Sequence, residues 1–309
     1  TLAVSNDDGT IGLGDADKDF DLSKLELSRI TAGDAQIGND TSASITVNNL
    51  AVGDTDGISG MLTLDATRDD AQITFNTAAS TFTSLTANAD DGIIVDVDLS
   101  STTGDLILDG DFDDIDAADT LDQILVRNAS TISAGNDLIL NAAKGGISSV
   151  GVLTLEANRH VVLNDALAAT DDVFIQTDKN NSGIGGIQAA SAIDTDDNNL
   201  TIISSDLELA NAVNSGTANI TLKSSNGRSI SVGSDAGQFR ISSDELELLT
   251  AQNLYIGDGS TGSIIVDGIS SANSANITDT VQLNATAERM SVTFENAASS
   301  FNPLEVVAD

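Results

Sequence analysis

The chain has 309 residues, a formal net charge of −36 at pH 7, 40% hydrophobic residues, no Cys, no Trp, and single Pro, Tyr and His residues. Its patterned apolar content argues against disorder, and its acidity disfavours nucleic acid and anionic membranes as partners. No apolar run approaches the roughly 18 residues that span a bilayer, and without Cys there is no disulfide framework.

In chain order, short apolar–polar–apolar segments alternate with turns rich in Asn, Asp and Gly. Thr1 to Val4, Ile11 to Leu13, Leu25 to Leu27, Ile45 to Val47, Leu62 to Leu64 and Ile73 to Phe75 open the series. Leu106 to Leu108, Ile124 to Val126, Leu138 to Leu140, Leu153 to Leu155 and Val161 to Leu163 continue it. Val173 to Ile175, Leu200 to Ile202, Leu207 to Leu209 and Ile220 to Leu222 follow, then Ile230 to Val232, Phe239 to Ile241, Leu246 to Leu248 and Leu254 to Ile256. A period of two is that of a strand with one buried face, and the turn residues tolerate the angles of tight bends. No helical period exceeds a turn or two.

The chain repeats itself. Residues 62–85 align without a gap on residues 281–304: Leu64 falls on Leu283, Phe75 on Phe294, Ala78-Ala79-Ser80 on Ala297-Ala298-Ser299, and Phe82 on Phe301. The offset of 219 also places Phe20 on Phe239, Gly38 on Gly257, Ile45 on Ile264 and Asp90 on Asp309. Residues 1–219 therefore read as one full repeat unit, and 220–309 as the start of the next, continuous with the first. The chain begins without Met or a signal-like segment, and both ends read as cuts through a longer polypeptide.

The class is all-β. Sandwich strings normally use Pro in linkers and a buried Trp or corner Tyr, and this chain has almost none of these. A parallel β-helix of coils of about 22 residues, roughly ten per repeat, fits better; tandem antiparallel sandwiches are the alternative. The LTLxA phrases (62–66, 153–157), the Asn/Asp/Gly corners and the Cys-free acidic composition resemble the repeat regions of giant bacterial surface or secreted proteins, of which filamentous-haemagglutinin-like adhesins are the best known. That resemblance implies a right-handed parallel β-helix, an extracellular or bacterial cell-surface location, and a role in filaments or adhesion. It carries over no catalytic residue.

Few residues suggest chemistry. Asp109, Asp111, Asp113 and Asp116 alternate in a way that could gather hard oxygens for Ca²⁺, though the loop lacks the EF-hand Gly and Glu. The cluster Asp15, Asp17, Asp19 and Asp21 becomes Ser234, Ala236, Gln238 and Arg240 in the second copy, which marks a charged turn rather than a site needed in every repeat. His160 alone cannot build a His-rich metal site. Most aromatics are expected in the core, Phe75/Phe294 and Phe82/Phe301 above all. A non-catalytic structural repeat of an extracellular fibre is therefore expected. Its partners would be neighbouring repeats of the same chain, laterally associated rods, and a surface receptor or glycan. The alternative is a polysaccharide lyase or hydrolase built on a β-helix, against which the scattered Lys and Arg residues count.

Overall fold

The computed structural model describes residues 1–5, 8–114, 121–233 and 237–309. The chain forms two compact units, Thr1–Glu156 and Ala157–Asp309. Both are parallel β-helices, in which strands distant in sequence pair and consecutive strands turn onto different faces.

In the first unit, one sheet is built from Ala35–Gly38, Leu62–Ala66, Leu85–Ala89, Leu106–Asp109 and Leu138–Asn141, each parallel to the next. A second runs from Phe20–Leu22 through Ile11–Leu13, Ile45–Asn48, Ile73–Asn76, Ile93–Val95 and Gln123–Val126 to Gly146–Ser149. A third contains Ser80–Phe82, Leu99–Ser101 and Ser130–Ala134. Parallel ladders of this kind exclude the antiparallel sandwiches, because a hairpin would pair neighbours in sequence. The coils are less uniform than the expected stride. Leu62, Leu85, Leu106 and Leu138 stand in register 23, 21 and 32 residues apart. The strand positions are held fixed while the corners absorb the extra residues.

The second unit keeps the plan. Val161–Leu163, Ile187–Ala189 and Leu207–Leu209 form one sheet. Leu167–Ala169, Ile193–Asp194 and Val213–Asn214 form another, which meets the start of Leu249–Ile256. A third runs from Val173–Gln176 through Leu200–Ser204, Asn219–Ser224, Leu249–Ile256 and Ile277–Ala285 to Leu304–Ala308. A fourth contains Phe239–Ile241, Ile230–Val232, Ile264–Val266 and Val292–Phe294.

Alternation decides the interior. In Leu62–Ala66 and Leu153–Ala157 the first, third and fifth residues are buried and the others half-buried. Burying one Leu or Ile in such a row contributes roughly 1.5–3 kcal/mol relative to leaving it in water. Phe75 and Phe82 are fully buried and meet edge to face, ring centroids 6.5 Å apart at 80°, a geometry that sets the positive rim of one ring on the negative face of the other.

The corners explain the composition. Among the described residues, every non-glycine residue with positive φ except Thr77 and Arg289 is Asp or Asn, including Asp15, Asp17, Asn49, Asp70, Asp178, Asp196 and Asp197. Their short polar side chains can bond the local backbone, which lowers the cost of the left-handed region. Two glycine pairs related by the repeat go further. Gly38 (φ 89°) and Gly257 (φ 84°) each lie where a Cβ would overlap a carbonyl oxygen of the following coil, Asp65 in one copy and Asn284 in the other. Gly14 and Gly233 stand in the same relation to Asn48 and Asp267.

Two expected strands are helical turns instead. Lys24–Leu27 and Ser243–Glu247 are short α-helices, each opened by a capping box in which Ser23 and Glu26, or Ser242 and Glu245, bond each other's backbone N–H. The apolar–polar–apolar look of Leu25–Leu27 and Leu246–Leu248 conceals this S-x-x-E signal, which satisfies two helix-start donors at once. Leu27 and Leu246 are buried in both copies. The expected burial of all four repeat-related phenylalanines also fails in part: Phe294 is 47% exposed while its counterpart Phe75 is fully buried.

Phe75→Ala should therefore cost about 3–5 kcal/mol and Phe294→Ala no more than about 1 kcal/mol, read from urea denaturation midpoints at equal slope. Equal losses at the two sites would contradict the burial described.

Candidate functional site

The acidic corner follows the strand Leu106–Asp109. Pairing in register places Asp65, Asn88, Asp109 and Asn141 in a row across four coils, so carboxylate and amide alternate up the sheet edge. Asn141 Nδ2 donates to Asp109 Oδ2 at 3.5 Å, and the Asp111 N–H donates to Asp109 Oδ1 at 3.4 Å. Burial is the main influence on Asp109 and pushes its pKa up to about 6; nearby Asp114 and Asp111 push the same way. Asp111 is buried, accepts a 2.7 Å hydrogen bond from the Lys144 N–H on Oδ2, and has no hydrogen-bond partner on Oδ1 among the described residues. Its pKa is also raised, chiefly by burial.

The structure thus brings Asp109 and Asp111 together and leaves Asp113 exposed. Asp116 lies outside the described residues. Among the described residues no group of three or more His, Asp or Glu side chains is placed to hold a metal ion. Two adjacent carboxylates supply only part of the roughly six to eight oxygens that Ca²⁺ takes.

The other acidic clusters serve the backbone. Asp19 Oδ2 accepts from the Thr10 N–H at 3.0 Å and the Thr10 hydroxyl at 2.8 Å, bonds that hold its pKa below the usual carboxylate range. Asp194 Oδ1 accepts from the Asp196 N–H at 3.0 Å, and Asp197 Oδ1 from the Thr217 N–H at 2.6 Å.

Sequence reasoning missed a polar groove in the second unit. Val162, Gln188 and Glu208 are the middle residues of three strands in register and so form one outward row. Beside this row the loop 178–186 folds over the sheet. Asp178, fully buried, ties it down by accepting from the Gly183 N–H at 2.8 Å, the Ser182 hydroxyl at 3.0 Å and the Ser225 hydroxyl at 2.6 Å. Arg228 Nη2 donates to the Gly183 carbonyl at 2.7 Å, and the Ser205 hydroxyl donates to the Gly185 carbonyl. The groove between loop and sheet has a volume of about 260 Å³ and is lined by His160, Gln188, Asp206, Glu208, Arg228 and Gln238, among others. It is smaller and more polar than the pockets that engulf drug-sized ligands. The signal for it was the stride of the solenoid: Gln188 and Glu208 are 20 residues apart, one coil, but nothing in the sequence announces that the loop before Ile187 folds back.

Compared with known protein families, curated proteins and solved structures, the chain matches none.

The pKa of Asp109 gives a pH dependence of definite sign. The folded protein holds this proton up to about pH 6, whereas the unfolded chain releases it near 3.8. The native state therefore binds the extra proton between those values, and stability falls as pH rises from about 4 to 6. Asp109→Asn should remove this part of the slope and raise stability at pH 7 by about 1 kcal/mol after allowance for solvent screening, with no gain at pH 3.5. Denaturant melts of both proteins across this range test it; a variant that is destabilised at pH 7 would refute the assignment.

Proposed function

We propose that this chain is a structural segment of an extracellular or cell-surface fibre, a tandem-repeat solenoid without catalytic activity. The observation that supports the reading most is what the 219-residue repeat keeps. The strands Leu62–Ala66 and Ile73–Asn76 recur within Ile277–Ala285 and as Val292–Phe294; the capping boxes recur, and so do the glycines that approach a neighbouring carbonyl. What the repeat discards is the polar surface, including all four carboxylates of the Asp15–Asp21 cluster. A repeat that preserves packing and backbone geometry while letting side-chain chemistry drift suits a building element better than an enzyme. Repeat proteins of this class gain stability by adding units, each covering the edge of the last. The charge of −36 would keep a long fibre soluble and apart from other acidic surfaces. Adhesion to a receptor or glycan, and Ca²⁺ bridging through acidic corners, are extensions of the same proposal.

The polysaccharide-active alternative draws on the groove where Asp206 and Glu208 share a lining with His160 and Arg228. Its small volume and the lack of any Trp to stack a sugar chain weigh against it.

Electron microscopy of the native material decides between these readings. A continuous fibre with an axial period of roughly 40–50 Å is expected, from about eight to ten coils per repeat at ~4.8 Å each. Fibres that dissociate on chelation would add a metal requirement. Compact particles that depolymerise a polysaccharide, with the activity lost in Glu208→Gln, would replace the structural reading with the enzymatic one.

A further inference from the structure

The two copies of the repeat differ most where they should agree. In residues 73–89 seven inward positions are buried: Ile73, Phe75, Ser80, Phe82, Leu85, Ala87 and Ala89. Their counterparts in the second copy run from Val292 to Ala308, and not one is buried. Phe294 is 47% exposed, Val306 44% and Leu304 37%. The backbone is the same in kind: Leu304–Ala308 is a regular strand, paired on one side to Ile277–Ala285 as Leu85–Ala89 is paired to Leu62–Ala66. What differs is the other side. In the first copy the next coil lies there, with Ile93 and Val95 beside Ile73 and Phe75, Leu99 beside Ser80, and Leu106 beside Leu85.

We infer that the face formed by residues 292–308 is a docking surface for one further coil of the same repeat, of the kind that residues 91–109 exemplify. Its register is set by the first copy. A strand like Ile93–Val95 pairs with Val292–Phe294, one like Leu99–Ser101 runs beside 299–301, and one like Leu106–Asp109 pairs with Leu304–Ala308. The recognition is of two kinds. Unpaired backbone N–H and C=O groups of an edge strand accept a parallel partner, and the row Phe294, Leu304 and Val306 demands apolar side chains at alternate positions. A helix fails the first requirement, and a strand with charge at its inward positions fails the second. The inference rests on the tandem-repeat reading above, but not on the fibre being adhesive or extracellular.

The experiment extends the full chain. Asp309 aligns with Asp90, so residues 91–156 are appended directly after it; a control carries Ile93→Asp and Leu106→Asp in the appended copy only. Hydrogen exchange at residues 292–294 and 304–308 should slow by at least about tenfold in the extended chain and not in the control. Val306→Asp should leave the melting temperature of the 309-residue chain unchanged and lower that of the extended one. Unchanged exchange in the extended chain, or equal effects of Val306→Asp in both, would overturn the inference. So would sedimentation showing that the unextended chain pairs with itself through this face, with 304–308 already protected. A fibre built through a different surface would sink the docking site and leave the structural function standing; compact enzymatic particles with a working extension would do the reverse.

Discussion

Parallel stacking of like on like is the constraint on which this molecule depends. A residue that points inward on one strand must point inward on the strand a coil later, against a neighbour of similar size, as Leu62, Leu85, Leu106 and Leu138 do. Each coil is too thin to shield its own apolar row from water, so its stability exists only in combination with the coils on either side. That single requirement accounts for the period of two in the strands and for the close carbonyl approach at Gly38 and Gly257. It also accounts for the contrast between a buried Phe75 and an exposed Phe294 in otherwise matching surroundings.

The acidity has two separate origins in this frame. Some Asp residues are corner formers, needed for a left-handed backbone that most side chains resist; Asp15, Asp17, Asp196 and Asp197 belong here. Others accept backbone N–H groups that a turn would otherwise leave unpaired, as Asp19 does for Thr10 and Asp178 for Gly183. Asp109 and Asp111 are a different case. Both are drawn out of water beside the sheet edge, where a charge is costly, and their raised pKa values express that cost.

Much of the fold was legible in the sequence because its signals are local and recur. Alternation names the strands, Asn, Asp and Gly name the corners, and the 219-residue offset separates positions that pack from positions that only face water. The helical turns after Ser23 and Ser242 were misread because three residues of alternation look alike in a strand and in one helical turn; the Ser-to-Glu spacing carried the distinction. The site was far less legible. Of the acidic corner, sequence spacing sets Asp109, Asp111 and Asp113 side by side but does not tell that Asp113 is exposed while Asp111 is buried. Of the groove, only His160 had been singled out, and its partners come from coils whose lengths no periodicity fixes.

Those unequal lengths carry a consequence of their own. The acidic corner interrupts the longest of the steps between Leu62 and Leu138, the 32 residues from Leu106 to Leu138, and the loop 178–186 fills the step of 27 from Val173 to Leu200, where the next step to Ile220 takes 20. Strand register is unaffected in either place, since an insertion at a corner moves no inward side chain. A scaffold of this design separates novelty from foldability: new surface can be spliced in at any corner, coil by coil, and the stack beneath does not register that anything has been added.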